Sequence, residues 1–115
     1  MAAREYDLED RTFKFAKRVI AYVNGLQKTM GNMEVGHQLI KAGGSVGANY
    51  IEANESLSKR DFVMRIKISR KESKESRYWL RLSEPREEEK TEQELLIQEA
   101  TELMKIFGAI VEKTK

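Results

Sequence analysis

The 115-residue sequence contains no cysteine, a single histidine and a single proline. The absence of cysteine excludes disulfides, thiolate metal sites and cysteine nucleophiles, and it fits a reducing compartment. A lone histidine leaves no second histidine to share catalytic or metal-binding work. We therefore expect a protein that is not an enzyme, with no catalytic residues, no metal site and no cofactor.

Long apolar runs are also missing, because no stretch approaches the roughly 18 residues that a membrane span requires. The N-terminal MAAREYDLED is charged throughout, so we expect no signal peptide, no membrane partner and a cytoplasmic location. The length is that of one domain, residues 1–115. Hydrophobic residues at 40% and charged residues at 35% place the chain with soluble, helix-rich proteins rather than disordered ones.

Apolar residues recur at helical spacing in four stretches that short breaks separate. The first predicted helix begins at Asp7, a capping acid followed three residues later by Asp10, and ends before Gly31-Asn32. The second runs from about Met33 to Ser56. No pattern typical of a β-strand competes with these helices.

Ser58 with Asp61 resembles a capping box and predicts the start of the third helix, which Pro85 ends. Thr91 with Glu94 is a full capping box and predicts the start of the fourth. Four helices of about 20 residues with short connections predict an all-α fold, an antiparallel up-down-up-down four-helix bundle. The predicted core faces are Phe15, Ala16, Val19, Ile20, Val23 and Leu26; Leu39, Gly43, Val46, Tyr50 and Ala53; Phe62, Ile66, Ser69, Ser73, Ser76 and Leu80; and Leu96, Ala100, Leu103, Phe107 and Ile110.

The glycine-rich stretch GGSVGANYIEANES at 43–56 invites a phosphate-loop interpretation. That motif needs a lysine after its last glycine, whereas Ala48 follows Gly47, and no strand precedes the stretch as a dinucleotide fingerprint requires. We therefore predict that Gly43 and Gly47 lie where two helices pack closely. A bundle metal site would need two Glu-x-x-His pairs, and Glu34-x-x-His37 is the only one.

Polar residues inside the same stretch leave two interpretations open. Asn49 and Glu52 are one helical turn apart among small and apolar neighbours. They face either a subunit contact or buried polar network, or solvent. On the third helix, Ile68 and Trp79 lie beside Glu72 and away from the core face. We expect them to form an exposed apolar patch suited to another subunit, and therefore a homo-oligomer.

Charge is distributed unevenly although the net charge is only +2. Residues 59–81 hold nine Lys or Arg against three acids, and residues 84–102 hold eight Glu against two basic residues. Eight of the cations and one aromatic fall within a helical arc of about 120°: Lys59, Arg60, Lys67, Arg70, Lys71, Lys74, Arg77, Tyr78 and Arg81. This set, called the basic stripe below, is a candidate RNA- or DNA-binding surface. The alternatives are a solvated face, pairing with the acidic start of helix four, and a purely structural self-assembling protein.

Four sequence blocks carry a family resemblance: EDRTFKFA at 9–16, LIKAGGSVGANYIEAN at 39–54, SKRDFVMRIKI at 58–68 and KESKESRYWL at 71–80. The chain resembles the four-helix bundle proteins encoded in intervening sequences of bacterial 23S ribosomal RNA genes. The resemblance implies a ring-shaped homopentamer with a candidate role in nucleic-acid binding, and it brings no catalytic residues. Ile51 stands where the family pattern usually has arginine, which removes a basic group at that position.

Overall fold

Four helices account for nearly all of the chain. The computed structural model describes residues 2–115, with side chains from Leu8 onward. The helices are α1 (Ala2–Gly25), α2 (Met30–Asn54), α3 (Lys59–Leu82) and α4 (Lys90–Thr114), and a 3₁₀ turn at Glu87–Glu89 leads into α4. Within residues 2–115 there is no β-strand, and none of the helices is long and apolar enough to cross a bilayer.

Each helix packs against the next along the chain, and α4 returns to α1. The predicted all-α four-helix bundle is therefore confirmed. One hydrophobic cluster draws on all four helices and forms the core. It contains Leu8, Phe15, Val19, Tyr22, Leu26, Leu39, Val46, Ala53, Ile66, Leu80, Leu96, Ala100, Leu103, Phe107 and Val111.

The predicted core faces are largely correct. Phe15, Leu39 and Phe107, for example, are buried as expected. Ile20 is an exception, since 44% of its surface is exposed. Tyr22 is buried instead, and its hydroxyl shares a 2.6 Å hydrogen bond with Ser83 Oγ. Tyr22 lies three residues after Val19 and four before Leu26, so it shares their buried face, whereas Ile20 lies on the flank of that face.

The start of α2 differs from the prediction. Thr29 is the N-cap, because its side chain accepts a hydrogen bond from the Asn32 backbone N–H at 3.1 Å. Gly31-Asn32 therefore lies in the first turn of α2 and is not a break. The buried Asn32 amide donates to Gln27 O and Glu84 O, and Asn32 Oδ1 accepts from the Glu84 backbone N–H. These bonds tie the α1–α2 loop to the α3–α4 loop.

The two predicted capping boxes have different outcomes. Ser58 is the N-cap of α3, and its hydroxyl accepts a 3.0 Å hydrogen bond from the Asp61 backbone N–H. Thr91, in contrast, is not a cap. The 3₁₀ turn at Glu87–Glu89 leads directly into helical backbone at Lys90, so Thr91 already lies inside α4.

The first helix begins at Ala2, not at the predicted Asp7. Alanine, arginine and glutamate, which dominate residues 2–5, are good helix formers, so the helix extends beyond the predicted cap. The Asp7 side chain itself lies outside the described residues. At its other end α1 stops at Gly25, where the Glu89 carboxylate packs over the glycine.

Small residues bring α2 close to its neighbours. A Cβ on Gly43 would lie 3.2 Å from Val19 Cγ1, and one on Gly47 would lie 2.8 Å from Thr12 Oγ1. Both glycines therefore face α1 at a distance that leaves no room for a larger side chain. On the other side of α2, the buried Ser69 hydroxyl donates to Val46 O at 2.9 Å. A serine in the core of α3 is thus satisfied by an α2 carbonyl.

Candidate nucleic-acid interface

The basic stripe lies on the outer surface of α3. Its cations are exposed except Arg77, which is half-buried, and Tyr78 retains 56% of its surface. The helix buries its opposite side, where Ile66, Ser69 and Leu80 reach the core. Because residues three, four and seven apart share a helix face, the core-facing residues fix the stripe on the solvent side.

Two arginines of the stripe extend along the seam between α3 and α4. Arg77 Nη1 donates a 3.3 Å hydrogen bond to Thr101 Oγ1. Arg70 lies over Gly108, because a Cβ there would be 3.7 Å from Arg70 Cδ and from Nη1. At the far end of the stripe, Lys59 and Lys67 line a shallow groove with the C-terminal residues of α4. One cationic surface therefore runs along α3 and its border with α4.

Three of the five acids of α4 lie on the opposite border of the bundle, next to α1. Arg11 on α1 makes 2.7 Å ion pairs with both Glu99 and Glu102, and Arg18 pairs with Glu92 at 3.0 Å. The Glu99 hydrogen bond is the main reason that the pKa of Arg11 is raised, and the Glu92 bond does the same for Arg18. Glu92, Glu99 and Glu102 belong to the acidic stretch that could have paired with α3, but they are bound by α1.

The other two acids of α4, Glu94 and Glu112, form no ion pair with the basic stripe in the described part of the chain. Among residues 8–115, the one ion pair of the stripe joins the exposed Lys71 Nζ and the partly buried Glu72 Oε2 at 3.9 Å, and an ion pair this long whose lysine is in solvent contributes little. Pairing between the stripe and the acidic start of α4 within one chain, one of the alternatives open from the sequence, is therefore not observed in this part of the chain. The stripe presents its charge to solvent.

Arg65, the α3 cation outside the stripe, has a different environment. Its Nη1 donates to Asn49 Oδ1 at 2.9 Å, and Asn49 Nδ2 donates to Ser45 O at 2.9 Å. Asn49 is therefore half-buried and bonded between α2 and α3 within its own chain, whereas Glu52 is exposed one turn away. The two residues that the sequence grouped together thus have different surroundings.

The expected interface residues of α3 lie on its α2 side. Trp79 is half-buried, not exposed as predicted, because its ring packs against the core of the same chain and its Nε1 donates to Glu75 Oε2 at 3.2 Å. Ile68 is also half-buried. Burial is the main reason that the pKa of Glu72 is raised, and the neighbouring Glu75 adds to the effect, while Lys71 and Lys41 oppose it.

An apolar surface that the sequence analysis missed lies between α1 and α2. Phe13 is 60% exposed and Ile51 is 45% exposed, and both line a groove floored by Gly44, Gly47 and Ala48. The apolar residue at position 51 was the available signal, since the family pattern usually has a charged residue there.

The remaining candidate, Glu34 with His37, does not form a binding cluster. Both residues are exposed near the start of α2. No group of three or more His, Cys, Asp or Glu side chains that could hold a metal ion occurs among the described residues.

Comparisons with known proteins agree with this architecture. Residues 4–109 match the family model of the 23S rRNA-intervening sequence protein. No curated protein matches the chain significantly. A crystal structure of a protein with unknown function from the S23 ribosomal protein family of Bacteroides thetaiotaomicron is similar, with 28% sequence identity and a TM-score of 0.75. The similarity covers 90% of this chain and 96% of that one, and neither description names an enzymatic activity.

Proposed function

The chain belongs to the 23S rRNA-intervening sequence protein family. We propose that it is a non-enzymatic, self-associating bundle that binds RNA or DNA through the basic stripe. The observation that carries the proposal is the arrangement of charge around the bundle. Cations on α3 face solvent, while Glu92, Glu99 and Glu102 of α4 are paired with Arg11 and Arg18 of α1. These three acids are thereby held on the border away from the basic stripe.

Binding of this kind acts chiefly on phosphates. The stripe is a run of lysines and arginines over six turns of one helix, without a cluster of side chains arranged to read base edges. Contacts to phosphate carry no sequence information, so we expect weak sequence selectivity. Repetition of the stripe in an oligomer adds weak contacts through multivalency.

Salt dependence provides the test. We expect the native protein to retain a labelled ribosomal RNA fragment at low salt and to lose it steeply as salt rises. Four phosphate contacts would give a log–log slope of about −3, since each contributes roughly −0.7 on a single strand. The measurement is fluorescence anisotropy over a series of potassium chloride concentrations. Absence of binding at low salt, or binding that salt does not affect, would contradict the proposal and favour the purely structural alternative.

Self-association is the second part of the proposal, and the family resemblance implies that the oligomer is a pentamer. It is supported by apolar surface that the single chain leaves uncovered at Phe13 and Ile51, and by half-buried Ile68 beside Glu72, whose carboxylate has a raised pKa because it is partly buried. A partner subunit that covers such surface removes apolar area from water.

We expect light scattering to give a native mass that is a multiple of 13.3 kDa, about five times that value for a pentamer. Ile68→Glu places a charge in the proposed interface and should shift the mass toward 13.3 kDa while the helical content is kept. Leu57→Glu is the matched control, because Leu57 is 98% exposed in the α2–α3 loop. A native mass of 13.3 kDa at micromolar concentration would disprove self-association.

A further inference from the structure

Tyr78 is a large exposed aromatic residue among the cations near the C-terminal end of the basic stripe. It retains 56% of its surface, and Lys74, Arg77 and Arg81 lie within four residues of it along α3, as does Glu75, which is bonded to Trp79. Phe13, the other strongly exposed aromatic among residues 8–115, has Lys17 Nζ 5.8 Å from its ring centroid, but its groove is also lined by Glu9 and Asp10, which would repel phosphate. Of these two rings, only Tyr78 is placed where a nucleic-acid backbone would run.

The Tyr78 ring is supported from one side. Its centroid lies 5.0 Å from that of Trp79, at an interplanar angle of 74°, which is a favourable edge-to-face arrangement. Trp79 is itself held by packing against the core and by its hydrogen bond to Glu75. The ring is therefore positioned by a fixed neighbour while more than half of the residue surface stays open to solvent.

An exposed aromatic among cations selects one form of nucleic acid. Bases of a single strand are free to stack on a side-chain ring, and phosphates on either side reach the lysines and arginines. A duplex keeps its base faces inside the stack, so it can use the cations and not the ring. The combination therefore favours a single strand.

The charge distribution also places the ring near one end of the site. The stripe from Lys59 to Arg81 spans about 33 Å at 1.5 Å per residue, enough for about ten stacked nucleotides at 3.4 Å each. Beyond Arg81 the chain becomes acidic, with Glu84 and Glu87–Glu89. Phosphates are therefore attracted up to Arg81 and repelled after it, so the base on Tyr78 belongs to a nucleotide near the end of the bound segment.

We propose that Tyr78 is a base-stacking platform that makes the basic stripe a site for single-stranded RNA or DNA in preference to duplex. This inference rests on the proposed nucleic-acid function of the stripe and specifies its ligand. It assigns the cations to phosphates and the ring to one unpaired base.

The test compares wild type, Tyr78→Ala and Tyr78→Phe, each as the full chain, on oligouridine and oligodeoxythymidine of about ten nucleotides and on a duplex of equal length. Loss of one base–aromatic stack should reduce single-strand affinity of Tyr78→Ala by about fivefold or more. Tyr78→Phe, which keeps the ring, should bind like wild type, and duplex binding should be equal in all three. Circular dichroism checks that the helical fold is kept.

The experiment distinguishes failure of the proposed nucleic-acid binding from failure of the stacking role of Tyr78. If wild type binds neither strand form at low salt, the proposed function is overturned together with this inference. If wild type binds with steep salt dependence and Tyr78→Ala loses no single-strand affinity, the stripe binds nucleic acid and the stacking platform is overturned. An equal loss of duplex and single-strand affinity in Tyr78→Ala would overturn it as well, because a stacked base is available only in the single strand.

Discussion

Replacing Gly47 by leucine is expected to destabilise the bundle, although leucine is much the better helix former. A Cβ at this position would lie 2.8 Å from Thr12 Oγ1 and 3.6 Å from the Thr12 backbone carbon. Thr12 is 1% exposed, and its hydroxyl donates to Glu9 O at 3.0 Å, so the threonine side chain cannot move aside for the new Cβ. Helices α1 and α2 must therefore move apart.

Two opposing contributions, helix propensity and overpacking, decide whether the free energy of unfolding rises or falls. Leucine in place of glycine gains up to about 1 kcal/mol of helix propensity, whereas overpacking a well-filled contact costs about 1–3 kcal/mol. The close contacts are with Thr12 Oγ1 at 2.8 Å and Thr12 Cβ at 3.1 Å, and the Cβ can move only if the α1 backbone moves, which favours the upper part of that range. We expect a lower free energy of unfolding in urea and a melting temperature several degrees below wild type.

Gly44→Leu is the matched control for this experiment. It lies on the same helix three residues away, and a Cβ there meets no described atom within 4 Å. The substitution therefore brings the propensity gain without the clash, and its melting temperature should equal or exceed that of wild type. If Gly47→Leu behaved in the same way as Gly44→Leu, the close approach of α1 and α2 at Gly47 would be refuted.

Helix faces could be predicted from the sequence because apolar spacing and burial share one geometry. Residues such as Val19, Leu39, Ile66 and Leu103 recur at helical intervals and all reach the core. The same spacing also placed Ser69, Ser73 and Ser76 of α3 on the core face, where all three are buried. The prediction was wrong at Ile20, which is exposed, and it omitted Tyr22, whose buried hydroxyl is bonded to Ser83.

Helix ends were harder to predict because their local signals compete with contacts that are distant in sequence. Ser58 acts as its motif indicates. Asn32, which looked like part of a break, instead bonds to Glu84, 52 residues away. Thr91 has a complete capping motif, yet a 3₁₀ turn starts the helix before it. A capping motif shows that a residue can cap a helix, whereas tertiary contacts decide where the helix begins.

The residues of the candidate site could be predicted from the sequence, but the ion pairs of the surrounding helices could not. Segment charges located the basic and acidic stretches, and a helical wheel grouped the basic stripe on one face. Nothing in the order of residues revealed that Arg11 and Arg18 would bind the α4 acids. Trp79 illustrates the same limit, since the helical wheel placed it away from the core face, yet its ring packs against the core.

The largest expected effect on binding comes from removing four central cations of the stripe together. We expect the combined substitution of Arg70, Lys71, Lys74 and Arg77 by glutamine to abolish retention of a labelled ribosomal RNA fragment at salt concentrations where wild type binds. Log affinity scales with the number of phosphates neutralised, so loss of four contacts removes most of the electrostatic attraction. Exposed glutamine is a good helix former, and helicity and native mass should therefore be unchanged.

A matched variant removes the same charge elsewhere on the molecule. Lys14, Lys17, Lys28 and Lys41 are exposed on α1, α2 and the loop between them, outside the stripe. Their replacement by glutamine lowers the net charge equally, so a general charge effect would weaken both variants alike, whereas a localised site predicts that only the α3 variant loses RNA. If both quadruple variants retained RNA as wild type does, the basic stripe would not be the binding surface. The exposed cations of α3 would then be a solvated face of a self-assembling protein.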